Sequence, residues 1–219
     1  MRDIIDAFNS TAIIYDEWYE HPQGKQVFCA EKKAIDLMIP KTGLGVEIGA
    51  GTGIFAESLT CDDRIILCLD PSLDMLKKAK DRCLFCILAL GYPLPFRRGL
   101  FDFSYMVTVL EFIYKPVVLL NEIRETAKQS APLSILFINS DSSWGGLYRN
   151  IGEKGDPVFQ YARLYTHDEV SEMLNEAGYR VTNSKGTLNS GPMNQNVDQR
   201  IIEPSEKSGV LIVEAMKMD

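Results

Sequence analysis

Gly49, Gly51 and Gly53 put three glycines into five positions directly after the apolar run LGVEI, Leu44 to Ile48, and Glu47 stands two residues before the first of them. Glycine backbone reaches left-handed angles without steric cost and lets a ligand come close, while free N–H groups of a following helix can hold an anionic group. Asp70 lies about 20 residues on, where a carboxylate can accept hydrogen bonds from both hydroxyls of a ribose. Two ligand classes meet these requirements. Gly51, Gly53 and Ala56 satisfy the GxGxxG/A pattern of dinucleotide sites, and a nucleoside with a carboxylate tail would use the same turn and the same Asp70. Glu47 bears on the choice, because an acid there would repel a pyrophosphate and favour an ammonium or sulfonium group. Charge alone favours a ligand with a positive centre.

Other residues with chemical capacity gather in three aromatic stretches. YDEWYEH carries Tyr15, Trp18 and Tyr19, EFIY carries Phe112 and Tyr114, and DSSWGGLY carries Trp144 and Tyr148. Such rings can wall a pocket for a flat or apolar molecule or hold an amine by cation–π contact, and they equally serve to pack helices over a sheet edge. Glu111 is the candidate polar group on this side, as a base or as counter-charge to an amine, against the alternative of a solvated helix start. His21 borders the first aromatic stretch, and His167 falls in the first turn of a helix, where it is expected to face solvent. Cys83 and Cys86 form a CxxC with no second pair and no helix start behind it. The five cysteines therefore read as reduced thiols that pack as small hydrophobes, and no metal site is expected.

The elements that must position these groups alternate in type. Val27, Ala30, Ala34, Leu37 and Met38 mark one face of a helix that Pro40 stops. GVEIG, RIILCLD, LFCILAL, DFSYMVTVL and LSILFINS read as buried strands, with helices starting at Ile54, after the N-cap Ser72, and over PVVLLNEIRETAKQ. Thr166 and Glu169 form a capping box for a helix that closes at Gly178, and SGVLIVEAMKM is a last strand beside the one starting at Tyr179. Apolar strands separated by helices predict an α/β fold, a doubly wound and mostly parallel sheet covered on both faces. A length of 219 residues with 46% hydrophobic content suits one domain. The net charge of −7 argues against a nucleic-acid partner. MRDIIDAFNS lacks the apolar segment of a signal peptide, and no stretch of about 18 apolar residues follows, so a cytoplasmic protein without a membrane partner is expected.

VEIGAGTG, Val46 to Gly53, resembles the first motif of class I S-adenosylmethionine-dependent methyltransferases. CLDPSLDMLKKAK resembles their second strand and the helix after it, and GYPLPFRRGLFDFSYMVTVLEFI resembles the segment leading into their fourth strand. The resemblance, covering residues 43–140, implies a seven-stranded Rossmann-like sheet with an N-terminal helical lid, and S-adenosylmethionine as cofactor with S-adenosylhomocysteine as its product. It implies Gly49, Ala50, Gly51 and Gly53 behind the methionine portion, Glu47 near its ammonium, and Asp70 with Pro71 at the ribose. Gly91, Tyr92 and Pro93 would lie along the adenine, Val107 and Thr108 near the methionine tail, and Tyr15 would reach the donor from the lid. Two departures stand out. Leu90 and Gly91 replace the acid that many relatives carry before LPF, leaving adenine to backbone and stacking contacts, and KQSAPLS replaces the usual Lys-Pro-Gly-Gly turn.

The resemblance further implies a single methyltransferase domain, with residues 1–40 as lid, 41–140 as cofactor-binding core, and 141–219 as substrate insert and C-terminal strands. The expected activity is methyl transfer to a small-molecule acceptor, as in relatives that modify quinone precursors or small amines. Trp18, Tyr19, Trp144 and Tyr148 are expected around the acceptor and Glu111 as its acid–base group, in a monomer or homodimer. TVLE after the fourth strand differs from the Asn-Pro-Pro-Tyr-like tetrapeptide of nucleic-acid methyltransferases. Two other readings remain open at this point: an NAD(P)- or flavin-dependent oxidoreductase, and a non-catalytic module that holds S-adenosylmethionine.

Overall fold

The computed structural model describes residues 2–82 and 84–218; Cys83, and with it the CxxC reading, lies outside the described residues. Three helices precede the sheet: α1 (Arg2–Thr11), the single turn α2 (Glu17–Glu20) and α3 (Pro22–Met38). Then come β1 (Gly43–Ile48), α4 (Ile54–Leu59), β2 (Arg64–Asp70), α5 (Leu73–Asp81), β3 (Phe85–Leu88), β4 (Phe103–Val107), α6 (Pro116–Thr126) and β5 (Leu133–Ile138). The C-terminal part adds α7 (Ser143–Glu153), α8 (His167–Glu176), β6 (Tyr179–Thr187) and β7 (Val210–Lys217).

Among the described residues the strands form one sheet in the order β3-β2-β1-β4-β5-β7-β6. The first five run parallel, and β7 runs antiparallel to both β5 and β6. Every position of β4 and β5 is buried, because both sheet faces are covered. On β5, Leu136 packs toward α3 and α4, whereas Leu133, Ile135 and Phe137 pack toward α6 and α8. Alternation along each strand thus feeds two separate apolar layers. The capping box forms as the sequence predicts: Thr166 Oγ1 accepts from the Glu169 N–H at 3.2 Å, and Glu169 Oε2 accepts from the Thr166 N–H at 2.8 Å. Among the described residues no helix is long and apolar enough to cross a membrane.

Three sequence expectations need correction. Phe85 is 65% exposed, because β3 is an edge strand with β2 as its single neighbour, so the sheet is not covered there. Helix α3 starts at Pro22, and its buried stripe runs through Val27, Glu31, Ile35 and Met38, while Leu37 is 58% exposed. Tyr15 lies in the turn before α2 and shares no helix with Trp18 and Tyr19. Although α1 buries none of its residues, the N-terminal helical region is held by rings and by polar contacts: Phe8 meets Phe112 edge-on at 5.1 Å between ring centroids, and Tyr19 packs against Phe28 and Phe55. Asn9 Oδ1 accepts from Ser72 Oγ at 2.7 Å and from the Asp74 N–H at 3.2 Å. Asp16 accepts from Thr52 Oγ1 at 2.6 Å and from an Arg82 guanidinium N–H at 2.8 Å.

Candidate active site

A cavity of about 120 Å³ opens at the carboxyl ends of β1, β2 and β4, where the strand order reverses. Gly49 and Gly51 line it from the glycine turn, Asp70 and Pro71 from the end of β2, and Gly91 and Tyr92 from the loop after β3. Val107 and Thr108 close it from the end of β4, and Tyr15 and Phe8 cover it from the N-terminal region. Glu47, Ala50, Gly53 and Pro93 do not line it.

The three glycines serve different ends, although all have positive φ. A Cβ at Gly49 would fall 2.5 Å from a Val109 methyl, and one at Gly53 would fall 2.6 Å from Leu84 Cδ1 and 2.9 Å from Ala79 Cβ. Both positions are bare because the protein packs against them. At Gly51 a Cβ would meet no atom of the described residues within 4 Å apart from its two chain neighbours, so the backbone there is bare toward the cavity.

Asp70 anchors the turn. Its Oδ2 accepts from the Gly51 N–H at 2.8 Å and its Oδ1 from the Ser72 N–H at 2.7 Å, leaving each oxygen a further lone pair. Burial raises its pKa to about 6, against the lowering effect of these two bonds. Glu47, 2% exposed, is turned beneath the glycine turn, where Oε2 accepts from the Tyr105 hydroxyl at 2.9 Å. Burial pushes its carboxyl up to about 8. Its carboxyl thus braces β1 against β4 and faces neither cavity, which differs from the placement implied by the resemblance.

A second cavity, of about 310 Å³, adjoins the first; Phe8, Tyr15, Thr108 and Phe112 line both. All four rings expected at an acceptor, Trp18, Tyr19, Trp144 and Tyr148, line this second cavity. Tyr148 stacks on Phe159 at 4.4 Å between ring centroids, and Trp144 Nε1–H donates to the Ser190 carbonyl at 2.8 Å. Thr108, with φ of 49°, holds a left-handed angle that costs a non-glycine residue about 1–2 kcal/mol, at the point where the two cavities meet.

Glu111 faces neither cavity. It lies in the 3₁₀ turn Leu110–Phe112, buried, with Oε1 accepting from the Ile138 N–H at 2.7 Å and Oε2 without a hydrogen-bond partner. Burial raises its carboxyl to about 7. The side chain ties the turn after β4 to the end of β5, so the acceptor-facing position expected for it is not observed. Tyr114 lines the first cavity; His21 and His167 line neither, and His167 Nε2 is 2.9 Å from Ser184 Oγ. Cys68 is buried as a packing thiol, while Cys29 and Cys61 are exposed.

Glu31 is the acid that sequence reading missed. It lines the second cavity at 4% exposure, and burial followed by repulsion from Glu111 raises its pKa to about 8. Its signal was its place four residues after Val27 on the buried face of α3.

A family model described as a methyltransferase domain matches residues 46–135, the stretch from β1 into β5 that builds most of the first cavity. An uncharacterised protein of Methanocaldococcus jannaschii is 33% identical over 184 residues, 84% of this chain and 86% of its own length. An uncharacterised protein of Mycobacterium tuberculosis is 32% identical over 182 residues, 83% of this chain, and the match spans 62% of that longer protein. Among solved structures, a SAM-dependent methyltransferase of Thermotoga maritima, described as a possible histamine N-methyltransferase, matches with a TM-score of 0.85 at 25% identity, covering 98% of this chain and 99% of that one. A SAM-dependent methyltransferase of Archaeoglobus fulgidus shares the fold, with a TM-score of 0.72 at 15% identity over 93% of this chain and 99% of its own. The choice that the glycine turn left open between a dinucleotide and S-adenosylmethionine is thereby made: the chain belongs to the class I S-adenosylmethionine-dependent methyltransferases.

Proposed function

We propose that the protein transfers the methyl group of S-adenosylmethionine to a small molecule held in the second cavity. The observation that carries this reading is the junction of the two cavities at Phe8, Tyr15, Thr108 and Phe112, with bare glycine backbone and Asp70 on one side and aromatic walls on the other. The lining of the first cavity carries groups that match the family's cofactor: Asp70 has lone pairs for two ribose hydroxyls, Gly51 leaves open space beside its backbone, and the buried Tyr92 hydroxyl has no partner among the described residues. Asp70 would hold the ribose, Gly49 and Gly51 the methionine portion, and Gly91 and Tyr92 the adenine. The cofactor supplies an electrophilic methyl carbon on a positively charged sulfur. The chain's own part is to align an acceptor with that carbon and keep water out, and alignment alone can contribute ~7–11 kcal/mol to the rate.

The lining of the second cavity is mostly aromatic and apolar with two carboxylates, Glu31 and Asp156, which suits a small acceptor held by few polar contacts. The likeness to the Thermotoga structure described as a possible histamine N-methyltransferase is in keeping with that lining. Residues 1–40 act as the lid, 41–140 as the cofactor core, and 141–219 as the acceptor side, in a cytoplasmic monomer or homodimer without a nucleic-acid partner. The test is binding of S-adenosylhomocysteine and of NADH by calorimetry, then turnover across a panel of small acceptors. NADH binding in place of the sulfur nucleoside refutes the reading, and donor binding with no turnover on any acceptor favours a non-catalytic module.

A further inference from the structure

We propose that the acceptor is a small amine, and that Glu31 receives its ammonium group in the second cavity and takes the proton from its nitrogen. This rests on the second cavity being the acceptor site.

Glu31 is buried on the inner face of α3, lines the cavity, and makes no hydrogen bond or ion pair with any described residue. The Glu31 carboxyl is thus open to the cavity without a protein partner, unlike the sealed-off Glu111 Oε2, and the natural complement of a carboxyl so placed is a ligand that brings the missing charge or donor. The walls around it sharpen the choice. Tyr15, Trp18, Tyr19, Phe112 and Tyr148 line the same space, Asp156 adds a second carboxylate whose Oδ1 already accepts from the Val158 and Phe159 N–H groups, and none of the described residues lining the cavity is a lysine, arginine or histidine. Aromatic rings attract cations and offer nothing to an anion. A carboxyl inside such a cage therefore selects an ammonium over a carboxylate or phosphate.

The titratable groups close enough to act on Glu31 are Tyr15 from the turn before α2, Tyr19 on α2, Tyr148 on α7 and, from outside the cavity, Glu111 in the turn after β4, while Asp156 shares the cavity lining. Burial raises all three phenols, so they stay neutral at working pH, and Glu111 adds like charge. Burial and Glu111 together hold the free Glu31 carboxyl near 8, so an arriving ammonium favours the ionised form and displaces its proton. Within the complex the N–H bond of the ammonium breaks as an O–H bond forms on Glu31. The nitrogen keeps the electron pair and becomes the neutral nucleophile that methylation needs.

The test uses butylamine and 2-phenylethylamine, each beside the alcohol of the same skeleton, titrated by calorimetry with S-adenosylhomocysteine present. Both amines remain ammonium ions up to pH ~9. At least one amine should bind more than tenfold tighter than its alcohol. Its affinity should rise by up to about tenfold per pH unit below pH 8 and level off above, with proton release in buffers of different ionisation enthalpy. In Glu31→Gln the affinity should fall at least tenfold and lose its pH slope, while the alcohol is unaffected. Unfolding curves establish that the variant is folded, and Glu31→Ala serves in its place if it is not. Equal binding of amine and alcohol, no amine binding, or an unchanged pH slope in the variant overturns the proposal. Failure of S-adenosylhomocysteine to bind the wild-type protein identifies the underlying donor reading as the fault and overturns both.

Discussion

Replacement of Asp70 tests the donor site most directly, and the structure shows which replacement to use. In the folded protein each carboxylate oxygen already takes one backbone N–H, from Gly51 at 2.8 Å and from Ser72 at 2.7 Å. Asp70→Ala would leave both N–H groups without their acceptor and disturb the glycine turn itself, so a loss of binding would have two explanations. Asp70→Asn keeps the shape and one acceptor oxygen but removes the charge. Hydrogen bonds to a charged group contribute ~1.5–3 kcal/mol each, and Asp70 is only 8% exposed, so little further desolvation offsets them on binding. The Asn variant should therefore bind S-adenosylhomocysteine about 2 kcal/mol more weakly, on the order of thirtyfold. A second signature separates charge from shape. The ligand's hydroxyls favour the ionised carboxyl, whose pKa in the free protein is about 6, so wild-type affinity should fall as pH drops below 6. The Asn variant should lack that contribution to the pH slope. Calorimetry at pH 5 and pH 7.5 on both proteins measures it. Equal affinities at pH 7.5, or equal slopes, would remove Asp70 from the donor site.

Gly51→Val should abolish thermal stabilisation by S-adenosylhomocysteine, because its side chain has only cavity to occupy, while left-handed strain of ~1–2 kcal/mol lowers Tm by a few degrees; retained stabilisation would mean the turn is not at the ligand. Buried Asp70, Glu111, Glu31 and Glu47 are raised to about 6, 7, 8 and 8, so their contribution to stability is fully present below pH ~4 and is lost as pH rises toward 8. Tm should accordingly be higher at pH 5 than at pH 8.5, with a shallower fall in Glu47→Gln, and a Tm that is flat or rising over that range refutes it. Removal of the first 20 residues should leave the sheet folded by circular dichroism, since α1 buries no residue, and should reduce turnover much more than donor affinity. Equal turnover with and without the segment sinks the lid.

Local chemistry accounts for what the sequence made legible. β4 and β5 read as buried strands because every residue in them meets apolar layers on both sides, and Ser72, Thr166 with Glu169, and Gly178 mark helix ends through bonds within a few residues of themselves. The glycine turn and Asp70 were legible for the same reason: a positive φ and a short reach across the end of a strand leave few residue types able to serve. Charge placement was not. Glu47, Glu111 and Glu31 are three acids of the same kind in sequence, and only the packing of β4, β5, α3 and α7 decides their surroundings. One is turned toward the Tyr105 hydroxyl, one is spent on the Ile138 N–H, and one is left alone in an aromatic cavity. The rings of that cavity, Trp18, Tyr19, Trp144 and Tyr148, were legible from their aromatic stretches and the resemblance, but that Glu31 joins them from a separate segment was not. Burial and like-charge repulsion act through space, so no local pattern of residues could reveal which carboxyl would be free to meet a ligand.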